Sequence, residues 1–343
     1  MEPDIALDRL PKAELHCHVE GTMRPSTVAD LAAKNGRTLP VEDPQDLYHY
    51  ESLDEFLSVF WLVQECLAGP ADWSRLAYES VVDGAAHGLV YRETFFTPAR
   101  HLETGQRLGD IVAGLQDGLA AAEADTGVRV ALIADIDRAF GGDAGLRMVE
   151  ELVELRRAGR AERVIGLGMD STEVGVDPGQ FAPAYRAAAR AGLRLTAHQG
   201  ENSPPALILY DVRDLGAERI DHGFSILDDP AAARELADRG IPLTVCPISN
   251  VKIGNLCGSV SDHPWPRMRR AGLYLTLNTD DPAMIDDDLG TEYQALRGAF
   301  GYSFDDMVQV ALDGIEATWL DDDDKRRLRE RVRTEAGRLR AER

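Results

Sequence analysis

Short apolar runs alternate with amphipathic stretches from about residue 88 to the end of the chain, the pattern of repeated βαβ units. The runs predicted as strands are Ala13–His18, Leu89–Phe96, Arg129–Asp135, Val164–Asp170, Leu193–His198, Arg219–His222, Ile241–Cys246 and Tyr274–Thr279. The helices between them have legible ends. Asp229-Pro230 opens AAARELADR and Gly240 closes it, an N-cap, an N1 proline and a C′ glycine in their expected places.

Eight strands separated by helices predict a closed (β/α)8 TIM barrel, although a doubly wound open sheet has the same local pattern. The polar residues decide between them. His16 and His18 end the first run, His198 the fifth, His222 the sixth, and Asp280 with Asp281 the eighth. In an open sheet the first and last strands are usually far apart, whereas in a barrel they are neighbours and their C-terminal ends share one mouth. The expectation is therefore a single barrel domain over residues 1–343. Residues 20–87, too long for an ordinary βα connection, should form an inserted helical lid with helices at Ser26–Gly36 and Leu53–Leu67. Residues 305–343 should add C-terminal helices, ending in a very polar run that packs weakly or lies on the surface.

Composition narrows the partners. The chain has 343 residues, is 44% apolar, and shows no window near the roughly eighteen uninterrupted apolar residues of a membrane span. Its formal charge of −22 would repel phosphate backbones and anionic membranes, so a small-molecule partner is expected and a nucleic-acid polymer is not. The acidic and polar start, MEPDIALDRLPKAEL, is unlike a secretory signal, and a cytoplasmic location is expected. Cys17, Cys66, Cys246 and Cys257 form no C-x-x-C pair, so neither a disulfide framework nor a thiolate zinc cluster is indicated. The acidic runs Asp286–Asp288 and Asp321–Asp324 are expected to be solvated caps and loops.

Residues i and i+2 of a strand share a face, so His16 and His18 can present two imidazoles inward while Cys17 enters the wall. H-x-H alone is a weak signal. His198-Gln199-Gly200-Glu201 and Thr279-Asp280-Asp281-Pro282 strengthen it, because each places ionisable groups after an apolar run, where charge must be paired or ligated. His16, His18, His198 and Asp280 leave a divalent metal positively charged with a position open for water, the composition of a catalytic zinc site; one Zn2+ per chain is expected.

The segments PKAELHCHVEGTMRP, TAHQGEN, RIDHGFSILDDP, TVCPISN and LTLNTDDPAM, in this order, resemble the adenosine/adenine deaminase family of metal-dependent hydrolases, over about Leu10 to Leu320. The resemblance implies a (β/α)8 barrel that hydrolyses the 6-amino group of adenine-type purines and releases ammonia. It implies zinc on His16, His18, His198 and Asp280. It further implies that Glu201 delivers a proton to purine N1, that His222 stands beside the attacking water, and that Asp281 holds that water and then the new hydroxyl. His18, Glu20, Ser171 and Asp281 would line the substrate. His49, His87, His101 and His263 lack such context and are expected to be simply packed or exposed.

Two segments depart from the adenosine-type pattern. Glu20 stands where an aspartate usually meets the ribose, and Met169-Asp170-Ser171-Thr172-Glu173 replaces the fourth-strand L-A-G-D/E-E, with the Ser171 N–H left to serve N3. D-S-T-E-V-G is similar to the adenine deaminases, whereas AMIDDDLGTEYQAL resembles the adenosine type; Gln199 and Asn202 replace the usual alanine and glutamate. The balance sets a nucleoside, adenosine or a close relative giving an inosine-type product, slightly ahead of free adenine or a modified nucleoside. The base-editing deaminases, which combine H-x-E with P-C-x-x-C, are excluded because Cys246-Pro247 stands in the reverse order and no cysteine is paired. The two-metal amidohydrolase barrels want a bridging lysine or glutamate on the fourth strand, and VIGLGMDS offers neither. A non-catalytic homologue that binds a purine or a partner is the rival of another class; nothing in the residues favours it.

Overall fold

The computed structural model describes residues 5–50, 53–253 and 256–342. The first four residues of the acidic N-terminal stretch and Arg343 of the polar C-terminal run lie outside the described residues. Among those described, eight parallel strands pair in sequence order: β1 (Lys12–Glu14), β2 (Leu89–Phe96), β3 (Arg129–Asp137), β4 (Val164–Asp170), β5 (Arg194–Gln199), β6 (Arg219–His222), β7 (Pro242–Val245) and β8 (Tyr274–Leu277). This is the (β/α)8 TIM barrel that the pattern predicts. β2 is buried at every position, as a strand sandwiched between a barrel interior and a ring of helices must be.

The regular ladder of β1 stops at Glu14, short of the predicted end at His18. Side chains replace backbone partners at this seam: Leu15 N–H donates to Asn278 Oδ1 (2.8 Å), and Thr279 N–H to Glu14 Oε1 (3.1 Å). The seam then closes through the chemistry-bearing residues themselves. Asp280 N–H donates to the His16 carbonyl (3.1 Å) and His18 N–H to the Asp280 carbonyl (2.8 Å), with Cys17 bridging to Asp280. Residues from the first and last strands thus share one hydrogen-bonded corner.

The stretch 20–87 divides. The helix Pro70–Ala86 belongs to the ring around the barrel, packed on the helix Leu108–Thr126. That crossing is close enough that a Cβ at Gly114 would lie 2.3 Å from the Pro70 carbonyl oxygen, and one at Gly118 would lie 2.1 Å from that of Ser74. In the remainder, the helix Leu53–Gln64 packs on the turn Glu20–Thr22 at the mouth and the helix Pro25–Lys34 packs on the stretch Pro44–Tyr48. Tyr48 ties it down by donating its hydroxyl to the Met23 carbonyl (2.7 Å), and Phe56 stacks on Phe60 beneath Tyr50. Arg100, just past β2, lies 4.0 Å from the ring centroid of Trp61, a cation–π contact to the same helix.

The C-terminal stretch also divides. The helix Phe304–Glu316, opened by a Ser303/Asp306 capping box, covers β8 and β1 and so seals the seam from outside. The helix Asp322–Ala341 buries only Val332, Ala336 and Leu339 and carries i,i+3 and i,i+4 ion pairs on its outer face. Below the mouth, the barrel interior holds the buried ion pair Arg219–Glu93 (2.6 Å), and Arg92–Glu14, also at 2.6 Å, lies on the helix side of the wall, where Arg92 donates to Ser80 of the helix Pro70–Ala86 as well. No helix of the described residues is long and apolar enough to cross a membrane.

Candidate active site

Four donors predicted from the sequence converge at the C-terminal ends of the strands. His16 Nε2 and His18 Nε2 each lie 3.1 Å from His198 Nε2, and they lie 3.2 and 3.4 Å from Asp280 Oδ1. Four ligands about 2.0–2.2 Å from one ion are separated by about 3.3 Å when tetrahedral, so this spacing fits a single divalent metal. The ring tautomer of His16 agrees. Thr244 donates its hydroxyl to Asp221 (2.7 Å), so its oxygen accepts from His16 Nδ1 (2.9 Å), and the lone pair of His16 is left on Nε2. Such nitrogen pairs, buried and 3.1 Å apart, repel unless a cation or a proton lies between them. His222 is nearby, but its Nε2 is 4.0 Å from the nearest Asp280 oxygen and 3.6 Å from Glu201 Oε2.

Backbone strain marks the same corner. Four described non-glycine residues have positive φ, and three of them, Ser171, His222 and Asp280, stand at the ends of β4, β6 and β8. A left-handed non-glycine residue costs about 1–2 kcal/mol, which the surrounding packing offsets, and it bends the chain out of extended geometry where the strand ends.

Glu201 follows β5 in a turn. Burial, then Asp280 and Glu173, push its carboxyl up to about 8, so it holds a proton at neutral pH. Asp281 is buried with Oδ1 unpartnered, pressed against the turn at Gly21. A Cβ at Gly21 would stand 1.9 Å from that oxygen. Gly21→Ala should therefore displace Asp281 by about an ångström and lower kcat/KM by about 10²-fold while the melting temperature moves little, since a misplacement of that size costs about this much. Wild-type kinetics in the variant would show that Asp281 tolerates the shift.

On the β2–β4 side of the mouth lies a second group of carboxyls. Glu20 has no solvent exposure; its Oε1 accepts from Thr97 N–H (2.9 Å), its Oε2 has no partner, and burial pushes it up to about 7. Asp170 accepts from the Thr97 hydroxyl and leaves its Oδ1 unpartnered, as are both oxygens of the buried Asp135. His18, whose Nδ1 is also unpartnered, has a ring nitrogen within 4.8 Å of carboxylate oxygens of Asp135 and Asp170. Ser171 differs: its side chain is exposed on the loop, and its carbonyl accepts from Arg138 (3.1 Å).

Two residues that the sequence did not single out hold the site together. Arg138, just after β3, donates to the carbonyls of Asp170 (3.0 Å), Ser171 and His198, and to Gln199 Oε1 (3.2 Å), so one buried guanidinium ties β4 to β5. Glu173 receives Gly200 N–H (2.8 Å), Glu201 N–H (3.1 Å) and Gln199 Nε2 (3.2 Å) and cradles the loop that carries Glu201. Its position in D-S-T-E-V-G was visible, but its partners lie 26–28 residues away. Arg138 gave no signal except a cation at a strand end among acids.

A family model described as adenosine deaminase matches residues 11–335. An adenine deaminase of Streptomyces coelicolor is 38% identical over 340 residues, 98% of each chain. The crystal structure of an adenine deaminase from Arthrobacter aurescens superposes with a TM-score of 0.89 at 33% identity, covering 94% of this chain and 98% of that one. A zinc-bound amidohydrolase from Burkhoderia ambifaria superposes equally well, at 0.89 and 31% identity, covering 98% and 93%.

Proposed function

This chain belongs to the adenosine deaminase family of metal-dependent amidohydrolases and is a hydrolytic deaminase acting on a C–N bond of adenine-type purines; from that premise we propose that its substrate is adenine itself, the free base, and that its metal is zinc. The order of preference drawn from the sequence, nucleoside before base, is thereby reversed. Relatives named adenine deaminase support the reversal, and the observation that carries it is Glu20. Its free Oε2 lies fully buried beneath the lid stretch, where Phe56 is only 5% exposed. A purine with C6 at the metal corner points N9 away from it. A buried carboxyl oxygen there accepts the N9–H of a free base, whereas a nucleoside lacks that hydrogen and brings a sugar into closed packing. Sites built around such a hydrogen bond reject the analogue lacking it by about 10⁴-fold.

Zinc is favoured by the donor set, three imidazoles and one carboxylate, where Mg2+ would want more oxygens. A zinc ion on His16, His18, His198 and Asp280 supplies Lewis acidity that lets water act as a nucleophile near pH 7. The protein groups do the rest. Glu201 delivers its proton to N1, which makes C6 electrophilic. His222 and Asp281 face the oxygen entering at C6; Asp281 accepts one proton of the water and passes it to the departing amine, and the other water proton returns to Glu201 as the C6 carbonyl forms. Water and adenine become hypoxanthine and ammonia. Ser171 N–H is assigned to N3, and His18 with Asp281 borders the ring. Ammonia release from adenine, adenosine, 2′-deoxyadenosine and N6-substituted adenines tests this reading: kcat/KM for adenine should exceed that for adenosine by about 10³-fold or more. Adenosine turned over as well as adenine would defeat it.

A further inference from the structure

The TVCPISN segment carries a side chain with no role so far. Asn250, fully buried on the helix Pro247–Lys252, stands between two histidines. Its Nδ2 lies 3.1 Å from His222 Nδ1, and its Oδ1 lies 3.2 Å from Nε2 of His263, a residue expected from the sequence to be simply packed. His263 is itself buried, and the N–H of Trp265 lies 3.1 Å from its Nδ1.

That last contact removes the ambiguity that ring and amide hydrogens usually leave. A peptide N–H can only donate, so His263 Nδ1 accepts, and a neutral ring then carries its proton on Nε2. Burial, and then His222, push His263 down to about 4, so the ring is neutral under ordinary conditions. His263 Nε2–H donates to Asn250 Oδ1. The amide is thereby oriented with its NH2 towards His222, whose Nδ1 must accept. The proton of neutral His222 is left on Nε2, the nitrogen that faces Glu201 and Asp280.

We propose that Asn250 and His263 are positioning residues that hold the His222 proton on Nε2, so that His222 meets the oxygen entering at C6 as a hydrogen-bond donor and not as a base. A fixed donor stabilises charge developing on that oxygen, whereas a lone pair in its place would repel it. The contrast with His16 is direct. Its ring centroid is 4.6 Å from that of His222, yet Thr244 and Asp221 set the opposite tautomer and leave its Nε2 lone pair free. Two adjacent imidazoles thus receive different tasks, metal ligand and donor, from different neighbours. The tautomer also explains why His222, close enough to join the metal donors, offers them no lone pair.

The kinetic consequence rests on the deaminase reading; the tautomer does not. ¹⁵N NMR of the metal-loaded protein labelled at histidine, assigned with His222→Gln and His263→Gln, should show protonated Nε2 and acceptor Nδ1 in both rings. A proton on Nδ1 of either ring overturns the proposal. His263→Leu leaves the Asn250 amide free to turn and should lower kcat by about tenfold or more, with KM within about twofold and metal content unchanged. His263→Gln, whose amide can accept from Trp265 N–H and donate to Asn250, should recover most of that loss. Unchanged kcat in His263→Leu, or equal losses in both variants, overturns the proposal. A protein inactive on adenine whose spectrum shows Nε2–H in both rings upholds the relay and counts against the substrate alone.

Discussion

Glu201→Gln is expected to lower kcat by about 10²–10⁴-fold with little change in KM, the range by which a positioned general acid accelerates a reaction. Glutamine keeps the size and the hydrogen-bonding shape of a protonated glutamate but has no proton to give to N1. Gly200 N–H and Glu201 N–H would still be held by Glu173, so the loop should keep its place, and bound metal should be unchanged. Wild-type rates should also report the same carboxyl. The acid acts only when protonated, and burial with Asp280 and Glu173 raises it to about 8, so kcat/KM should hold below that pH and fall tenfold per unit above it. The variant should lose this alkaline limb. Steady-state rates over pH 5–10 with elemental analysis check both; a variant within fivefold of wild type would remove Glu201 from the reaction.

Chelation should have the larger effect. Without an ion nothing brings water to nucleophilic strength near neutral pH, since a bound metal lowers the pKa of water to about 7, and activity should fall beyond about 10³-fold. Stoichiometric zinc should restore it. Metal loss should also lower the melting temperature, because ion binding to the folded state alone adds RT ln(1 + [L]/Kd) to stability. Here the seam is the reason for expecting a sizeable drop. Asp280, His16 and His18 are at once candidate ligands and the residues whose backbone closes β8 onto β1, so the ion would bind where the barrel is joined. Full activity after exhaustive removal of metal would contradict the assignment; so would His198→Ala retaining wild-type metal content.

Much of this molecule was legible because local physics is written in local sequence. The eight strands, the helix from Asp229 to Gly240 and the donors at the strand ends follow from residue type and period, and they survive with boundaries moved by a few residues. The moved boundaries have a cause: at Leu15 and Thr279 the side chains of Asn278 and Glu14 take backbone partners, which no window of sequence around either strand reveals. The stretch 20–87 looked uniform for a related reason. Helical pattern is the same in a lid and in a barrel ring, and only the close crossing at Gly114 and Gly118 assigns Pro70–Ala86 to the ring.

The sequence by itself determined the barrel and the placing of His16, His18, His198 and Asp280 at strand ends, because each depends on residue types at short, regular spacing, and the resemblance of its ordered motifs to a known family implied the deaminase chemistry. Tertiary structure alone decided which buried contacts the proposed finer detail rests on. Glu20 reads as an odd carboxylate until its burial and its unpartnered Oε2 are seen, and these support the proposed free-base reading. His263 reads as a packed histidine until a peptide N–H from Trp265 fixes its proton, and through Asn250 that of His222. The difference is physical: a fold needs patterns of burial that recur along the chain, whereas protonation and tautomer depend on which single donor or acceptor lies within 3.5 Å, a fact that chain neighbours do not carry.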